Sequence, residues 1–364
     1  MANVVYVGDG FPGSTSGQRA LALKRLGHQV VVLDPYAQFR KDMGSFRGAL
    51  NFRTGYVFLQ SAIKKWLAGS LQNLAIRPDV VWVDMGEVLG PACMKELKSL
   101  NCPIVNYNVD DPTGKRDGNR FYSFIKSIPF YDLIVVVREE TAGECKALGA
   151  KKVIHVFRSY DEEAHRPFES SDEIPENFRS EVAFIGTWMR NENRDEFLYE
   201  LIRRHVPVSI WGDRWPKSPL FKQIKDHWRG GALYGRDYVK AIQGSKICLG
   251  MLSKGNRDLH TTRSLEIPYA GGVFCGERTS EHLMLYNEGK EAMFWSNPKE
   301  CADLCLDLLA DDARREQIRL AGMRKVRSLK LGHEDVCRQI LNVVLNNFSA
   351  TNETKTFSFL ARIQ

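Results

Sequence analysis

The chain has 364 residues, of which 43% are apolar and 26% charged, and its formal net charge is +7. This length fits two domains of roughly 150 residues better than one core, and the composition is typical of soluble globular protein. No apolar run approaches the ~18–20 residues that a membrane span requires. No basic leader precedes the first apolar run, so we expect a cytoplasmic protein without a secretory signal.

Apolar strands alternate with helical patterns in the first half of the chain. Strands are predicted at Val4–Val7, Gln29–Leu33, Val80–Val83, Ile104–Tyr107, Asp132–Val137 and Val153–Val156. Helices are predicted at Gln18–Leu26, Tyr56–Ala75, Pro91–Leu100 and Thr141–Leu148. Continuous apolar strands separated by helices indicate a parallel sheet that is covered on both faces. The charged, Ser- and Pro-containing stretch at 161–176 is typical of an interdomain linker.

A glycine-rich segment, Gly8–Gly13, follows the first strand and has the letters of a dinucleotide-binding motif, with Asp34 about 20 residues later. This pattern keeps an NAD-dependent oxidoreductase open as an alternative. Pro12 and the small residues after it lengthen the loop, so we expect the next helix to begin near Gly17. A small-residue loop facing an interdomain cleft explains the same glycines, and we assign an acceptor-side loop to Gly8, Asp9 and Gly10.

The strand and helix alternation begins again after the linker. Strands are predicted at Val182–Ile185, Val208–Trp211, Ile247–Met251, Val273–Cys275 and Met293–Trp295. Helices are predicted at Arg194–His205, Tyr238–Ser245, Leu265–Ala270, Glu281–Tyr286, Pro298–Leu309 and Ala313–Leu329. Two doubly wound α/β domains with a cleft between them are the simplest architecture for this pattern.

Several ordered motifs in the second half resemble one known family. They are Phe184-Ile-Gly186-Thr-Trp, Ile210-Trp-Gly212-Asp-Arg-Trp215, Ser245-Lys-Ile-Cys-Leu249, Thr262-Arg263-Ser-Leu-Glu266-Ile-Pro-Tyr-Ala-Gly271-Gly272, Glu277-Arg278-Thr279 and Glu288-Gly289-Lys290-Glu291. Over residues 181–340 the chain resembles the CgeB-like (spore-maturation type) glycosyltransferases of the GT-B fold class. The resemblance implies an acceptor-side domain at 1–165, a linker at 166–180, a donor domain at 181–345 and a tail at 346–364 that returns to the first domain.

The same motifs predict the donor site. A ribose diol offers two donors that one carboxylate can accept, and in related enzymes a glutamate in the setting of Glu266 has that role. Asp258 stands where many relatives carry a second acid. Gly186 lets backbone approach a diphosphate, which cations stabilise as it leaves. The predicted donor-binding residues are Gly186, Arg190, Arg194, Trp228, Tyr234, Asp258, Arg263 and Glu266, with Trp228 and Tyr234 as candidates to stack on the base.

The reacting groups are predicted from both domains. An inverting transferase needs a general base at the acceptor hydroxyl, and Asp111 or Asp110 follows a predicted strand of the first domain. His260 lies in a segment that should face the cleft. A retaining enzyme would need no such base, and both remain open. No Asp-x-Asp pair and no His, Cys or carboxylate cluster with metal spacing occurs along the chain, so we expect no metal and no cofactor besides the nucleotide sugar.

The predicted function is sugar transfer from a nucleotide-diphosphate sugar to a hydroxyl-bearing glycan, lipid-linked or protein acceptor. An epimerase of the same fold and a non-catalytic binding relative are the alternatives to separate. The basic stretch Arg314–Lys330 is a candidate for peripheral contact with the inner face of a membrane. Without interleaved aromatic residues it gives no support for nucleic-acid binding. The eight scattered cysteines predict buried, reduced thiols.

Overall fold

The computed structural model describes residues 1–114 and 116–349 and divides into two compact units. Of the described residues, unit 1 contains those of Met1–Phe157 and His333–Ser349, and unit 2 contains Arg158–Gly332. This division differs from the expected boundaries. The stretch expected as a linker, 166–180, belongs to unit 2, and the chain leaves unit 2 at residue 333 rather than 346. Of the expected C-terminal tail, residues 350–364 lie outside the described residues.

Unit 1 is built on a parallel sheet of six strands in the order β2-β1-β3-β4-β5-β6. The strands are β1 (Asn3–Val7), β2 (Gln29–Leu33), β3 (Val80–Asp84), β4 (Ile104–Asn108), β5 (Leu133–Val136) and β6 (Val153–His155). All residues of β3, β4 and β5 are buried, which explains why these strands are mostly apolar and do not alternate between apolar and charged residues; the exceptions are Asp84, Asn106 and Asn108.

Helices cover both faces of this sheet. They are α1 (Thr15–Arg25), α2 (Pro35–Gln38), α3 (Arg40–Met43), α4 (Ser45–Thr54), α5 (Gln60–Gln72), α6 (Pro91–Lys98), α7 (Tyr122–Ser127) and α8 (Glu139–Ala147). Helix α1 begins earlier than expected because the Ser14 side chain accepts a hydrogen bond from the Gly17 N–H and caps the helix. The helix ends before Gly27, whose φ of +83° suits glycine.

Unit 2 repeats the architecture, with strand order β12-β11-β10-β7-β8-β9. The strands are β7 (Ser180–Ile185), β8 (Val208–Trp211), β9 (Trp228–Gly230), β10 (Ser245–Gly250), β11 (Phe274–Glu277) and β12 (Met293–Trp295). The helices are α9 (Arg194–Arg203), α10 (Phe221–Ile224), α11 (Gly235–Gln243), α12 (Arg263–Tyr269), α13 (Ser280–Leu285), α14 (Pro298–Ala310) and α15 (Asp312–Ser328). The predicted pair of doubly wound α/β domains is therefore confirmed.

The last helix, α16 (His333–Ser349), returns to unit 1. Its apolar residues join the core on the face of the first sheet that also holds Tyr6, Trp82 and Leu23. The buried positions on α16 are Val336, Cys337, Ile340, Leu341 and Val344. Their spacing is that of one apolar helical stripe, so packing against unit 1 explains why the chain crosses back at residue 333.

Short 3-10 turns complete the described structure: Val57–Leu59, Ile128–Phe130, Ser171–Glu173, Glu176–Phe178, Trp215–Lys217, Lys225–His227 and Lys254–Asn256. Among the described residues, no helix is both long and apolar enough to cross a membrane.

Candidate functional site

The strand orders locate the functional edge of each sheet. In unit 1 the chain steps from β1 to β2 on one side and then to β3 on the other, and in unit 2 the same reversal separates β7 from β10. Doubly wound sheets bind ligands beyond the carboxyl ends of the strands at this reversal, because the flanking loops diverge there and leave a crevice. Each unit therefore has one expected binding edge.

A cleft of about 750 Å³ occupies that edge of unit 1. It is lined by the loop after β1, by residues that follow β2 and β3, and by Arg120 beyond β4; the lining includes Asp9, Gly10, Ser14, Arg19, Asp34, Tyr36, Arg40, Asp84, Glu87 and Arg120. The lining combines carboxylates and arginines, so it offers both acceptors and donors to a hydroxyl-rich ligand. The predicted acceptor-side residues Asp9 and Gly10 line this cleft.

The glycine loop of unit 1 is hydrogen-bonded to a nearby aspartate, Asp34. The Gly10 N–H donates to Asp34 Oδ2 at 2.9 Å, and Asp34 Oδ1 accepts from the Ala37 N–H at 2.9 Å. In a dinucleotide site the glycine N–H groups face a pyrophosphate and the acid holds a ribose. Here the N–H of Gly10 and both oxygens of Asp34 are used internally, which argues against the oxidoreductase alternative. Gly8 is required because a Cβ there would lie 2.9 Å from the Asp84 Cβ.

A buried ion pair forms the floor of the cleft. Arg19 donates from Nε and Nη2 to the two oxygens of Asp84, both at 2.7 Å, and the two side chains are 2% and 0% exposed. Burial opposes the charge on Arg19, but Asp84 outweighs it and raises the pKa of the guanidinium. Asp84 is the last residue of β3, but both of its oxygens accept hydrogen bonds from Arg19, so its role is structural.

Arg120 joins three carboxylates at the rim of the same cleft. Its guanidinium lies 2.6 Å from Glu87 and 3.0 Å from both Asp110 and Asp117. Burial raises the pKa of Glu87 despite the neighbouring arginine. Asp110, a predicted catalytic residue, is therefore one arm of this ion-pair group and not one of the cleft-lining residues.

Asp111, the other predicted base, is a buried loop residue. Its Oδ1 accepts from the Gly114 N–H at 3.1 Å and from the Thr141 hydroxyl at 3.2 Å. The side chain is 6% exposed and does not line the cleft of unit 1. These contacts are those of an aspartate that stabilises a turn. The prediction that Asp110 or Asp111 meets the acceptor hydroxyl thus finds no support in the geometry of unit 1.

At the binding edge of unit 2, two predicted arginines hold the strand ends. The Arg194 guanidinium donates to the carbonyls of Thr187, after β7, and Leu252, after β10, at 2.9 and 3.2 Å. Arg263 Nε donates to the Ile185 carbonyl at 2.6 Å. Both arginines therefore lie at the β7/β10 reversal, as expected for the donor site, and both also serve to fix the backbone there.

Gly186 lies at the same edge but differs from the prediction in one respect. Its N–H donates to the Trp211 carbonyl at 2.8 Å, so this group is not turned toward a phosphate. Its carbonyl accepts from the Trp215 indole at 2.9 Å and would lie 2.1 Å from a Cβ placed on Gly212. Gly212 is needed for this close approach just after β7 and β8, and a Cβ on Gly186 would lie 2.8 Å from the Phe184 ring.

Only one carboxylate oxygen of Glu266, on the first turns of α12, accepts a hydrogen bond within the described structure. The Tyr238 hydroxyl donates to Oε2 at 2.7 Å, whereas Oε1 lies 3.7 Å from His165 Nε2, beyond hydrogen-bond distance. The carboxylate is 12% exposed, and burial followed by the charge of Glu266 raises the pKa of Tyr238 well above its usual range. Tyr238 thus remains a neutral donor that orients Glu266.

Asp258 and His260 bind the first residue of unit 2 rather than an open site. Asp258 Oδ1 lies 3.0 Å from Arg158 Nη2, and the backbone N–H of Arg158 donates to His260 Nε2 at 2.8 Å. His260 Nδ1 contacts Glu281 at 2.5 Å, so both ring nitrogens are engaged and the ring is 2% exposed. The predicted catalytic role of His260 is therefore not supported; it anchors the segment that enters unit 2.

A second buried histidine holds the start of α12. Ser264 Oγ contacts His282 Nε2 at 2.7 Å, and His282 Nδ1 donates to the Glu277 carbonyl at 2.6 Å. The Tyr286 hydroxyl donates to the Ser264 carbonyl at 2.7 Å. Burial lowers the pKa of His282 to about 4, so the ring is neutral at pH 7. This network fixes the helix that carries Arg263 and Glu266.

The remaining predicted donor residues are more peripheral. The Trp228 indole donates to the Gly212 carbonyl at 3.1 Å, and its ring packs edge-on against Phe221, so it belongs to the core around β9. Tyr234 is 66% exposed just before α11, and Arg190 is exposed in the loop after β7. Stacking on a base is therefore open to Tyr234 rather than to Trp228.

Two carboxylates at this edge, Glu192 and Glu277, are not among the residues predicted for the site. Glu192 accepts from the Lys254 N–H at 2.8 Å, and Glu277 accepts from the Leu252 N–H at 2.9 Å. Both line a cavity of about 310 Å³ beside the ends of β10, β11 and β12, together with Asn193, Lys254 and Asn297. The position of Glu277 at the end of a predicted strand was the available signal.

Three cysteines of unit 2 come together in the core, contrary to the expectation that no metal-spaced cluster exists. The Sγ atoms of Cys275, Cys301 and Cys305 lie within 4.8 Å of one another, and all three side chains are buried. Spacing along the chain could not reveal this group, because Cys275 is on β11 and the other two are on α14.

Comparison with known proteins agrees with this description. Residues 190–341 match a family described as glycosyl transferase-like. No curated protein sequence matches the chain. The chain is similar in structure to a sucrose-phosphate synthase from Thermosynechococcus elongatus, with a TM-score of 0.67, 10% identity, and coverage of 96% of this chain and 100% of that one.

Two further solved structures bear on the alternatives. HepE of Anabaena, solved in complex with UDP-glucose, has a TM-score of 0.66 at 11% identity, covering 95% of this chain and 100% of that one. A putative UDP-N-acetylglucosamine 2-epimerase from Listeria monocytogenes has a TM-score of 0.58 at 12% identity, covering 98% and 99%. These likenesses establish the fold. Residues 190–341, less than half of the chain, are similar to the glycosyl transferase-like family, in agreement with the predicted enzyme class.

Proposed function

We propose that the chain transfers a sugar from a UDP-sugar to a hydroxyl-bearing acceptor, with the donor bound at the β7/β10 edge of unit 2. This proposal rests on the Glu266 carboxylate, which accepts a hydrogen bond from the Tyr238 hydroxyl through one of its two oxygens. The other oxygen is left to accept from a ribose diol. HepE, a structural neighbour, was solved with UDP-glucose, and this supports uridine as the first base to test.

We propose that cations at the β7/β10 edge stabilise the departing diphosphate. Arg263 lies three residues before it on the same helix, and Lys254 and Arg190 are exposed on neighbouring loops. Positive groups fixed before the reaction stabilise a leaving diphosphate without rearranging as its charge develops. We therefore propose a metal-independent mechanism, of the kind implied by the resemblance to the CgeB-like transferases.

The acceptor is proposed to bind in the 750 Å³ cleft of unit 1. Its lining contains Asp9, whose Oδ1 accepts from the Phe11 N–H at 2.9 Å and so holds the carboxylate at the mouth of the glycine loop. A carboxylate in this position can accept the proton of an acceptor hydroxyl. Asp9 replaces Asp111 as the preferred base if the enzyme inverts configuration.

Contact with a membrane surface is a separate proposal that rests on α15. Arg315 and Arg319 are paired with Asp312 and Glu316 on the same helix, whereas Arg314, Arg324 and Lys330 are exposed. Cosedimentation with vesicles of anionic lipid, compared with neutral vesicles, tests it. Equal binding to both, or none, contradicts the proposal.

The central experiment measures UDP release from UDP-glucose with and without simple glycoside acceptors. Release that requires an acceptor and is lost in Glu266→Ala supports transfer. Conversion of the nucleotide sugar without any release indicates the epimerase alternative. Binding of UDP-glucose without turnover across the acceptor panel points to a non-catalytic relative, and no binding of any nucleoside diphosphate contradicts the donor site.

A further inference from the structure

The thiol cluster of unit 2 lies inside its hydrophobic core, away from the proposed donor site. Cys275, Cys301 and Cys305 are each 0% exposed. They belong to the same core cluster as Val273, Leu308 and Ile318. Alanine or valine at these positions would gain a similar hydrophobic free energy on burial. Packing alone therefore does not require three sulfurs that converge on one point.

The spacing of the sulfurs suits a shared metal ion. A metal–thiolate bond is about 2.3 Å long, so two sulfurs on one ion are at most about 4.6 Å apart. The three Sγ atoms already lie within 4.8 Å of one another, and adjustments of a few tenths of an ångström would bring all three into reach. Cys301 and Cys305 are four residues apart on α14, which places them on one face of that helix.

The donor set selects for a soft ion. Within the described residues the group consists of thiols alone, with no histidine or carboxylate in it, whereas structural zinc sites take four ligands. Cys275 is paired in register with Met293 of β12, so both side chains are on the same face of the sheet, and Met293 belongs to the same core cluster. Thiolate and thioether sulfur favour Cu(I).

We propose that Cys275, Cys301 and Cys305 form a buried three-sulfur site for one soft monovalent metal ion of the Cu(I) type. Binding replaces thiol protons with metal–sulfur bonds and involves no change in oxidation state. Because Cys275 is on a central strand and the other two ligands are on α14, the ion would join helix to sheet and stabilise unit 2 against unfolding.

The test is a competition for Cu(I) under anaerobic, reducing conditions. The whole protein is titrated against the coloured Cu(I) complex of bicinchoninate, both in the native state and after refolding in the presence of the complex. We expect wild type to withdraw one equivalent of copper and to show a higher Tm. Cys305→Ser and Cys301→Ser should each bind about tenfold more weakly or worse, because one metal–sulfur bond is lost.

Cys248 provides the matched control. It is also buried, on neighbouring β10, and its thiol contacts the Ile242 carbonyl at 3.5 Å, outside the cluster. Cys248→Ser should bind copper as wild type does. X-ray absorption at the copper edge of the wild-type complex, which needs no variant, should show a shell of sulfur only.

Three results would overturn the proposal. Wild type that takes up no copper by either route is one, and a cluster variant that binds as well as wild type is another. A copper shell containing nitrogen or oxygen would place the ion elsewhere.

Discussion

The two oxygens of the Glu266 carboxylate are proposed to have different partners, and this predicts how much affinity for a nucleoside diphosphate the Glu266→Gln variant loses. One oxygen accepts from Tyr238 at 2.7 Å, and the other is proposed to accept from the ribose. Glutamine has a similar shape but carries an NH2 donor in place of one oxygen, so in Glu266→Gln either the Tyr238 hydroxyl or the ribose faces an NH2 group instead of an acceptor. A hydrogen bond to a charged group contributes about 1.5–3 kcal/mol, which corresponds to about 10- to 150-fold in affinity for a nucleoside diphosphate.

Tyr238→Phe makes the prediction specific. Without the tyrosine hydroxyl, the single oxygen of glutamine is released for the ribose, so Glu266→Gln should cost less than about fivefold in the Tyr238→Phe background. The difference between the two losses is the coupling energy of neighbouring residues that share a partner.

Isothermal titration calorimetry with UDP, or with whichever nucleoside diphosphate gives the largest thermal shift, measures all four proteins of this cycle. Circular dichroism and Tm verify that each variant is folded. Equal losses in both backgrounds would show that Tyr238 and the nucleotide do not share the carboxylate. Unchanged affinity in Glu266→Gln would remove Glu266 from the donor site.

Three further predictions concern stability and the base. Burial lowers the pKa of His282 from 6.5 to about 4, so the neutral ring stabilises the fold above pH 6.5 and this contribution is lost as the pH falls toward 4. The free energy of unfolding in urea should therefore fall by up to about 3 kcal/mol over this range. A His282→Asn variant should not show this loss. Asp84→Ala should destabilise unit 1 by about 3–5 kcal/mol because Arg19 is left buried without its carboxylate, and a change below about 1 kcal/mol in urea would contradict the buried pair. If the enzyme inverts, Asp9→Asn should lower kcat by about 100-fold or more with UDP affinity unchanged. Asp111→Asn should lower the Tm and have a smaller effect on kcat than Asp9→Asn. The opposite pattern would restore Asp111 as the base.

Much of the fold could be predicted from the sequence because buried parallel strands are runs of mostly apolar residues. All six strands of unit 1 and five of unit 2 were predicted close to their observed bounds. The exception, β9, is a three-residue edge strand whose residues are half-exposed or exposed, so it has no apolar run to reveal it. Of the helices missed between Pro35 and Thr54, α2 and α3 are only four residues long, too short for a helical period to show in the sequence.

The roles of individual side chains were harder to predict than the strands. Arg263 lies at the expected edge, where its Nε donates to the Ile185 carbonyl, because its motif fixes its position relative to a strand end; the role of Glu266 at a ribose stays a prediction. His260 and Asp258 were assigned to a ligand, yet both bind Arg158, about 100 residues earlier in the chain. A sequence pattern shows that a polar residue is near a strand end, but the partner that occupies it depends on tertiary packing.

Helix α16 has a consequence for how the chain folds as it is synthesised. Unit 2 is one continuous segment, Arg158–Gly332, and has its whole core once residue 332 has left the ribosome. Unit 1 begins first in sequence but lacks the apolar stripe of α16 until residues after 332 have been made. The face of its sheet around Trp82 is therefore only partly covered, by α1, while unit 2 is made, so the core of unit 1 is completed after that of unit 2.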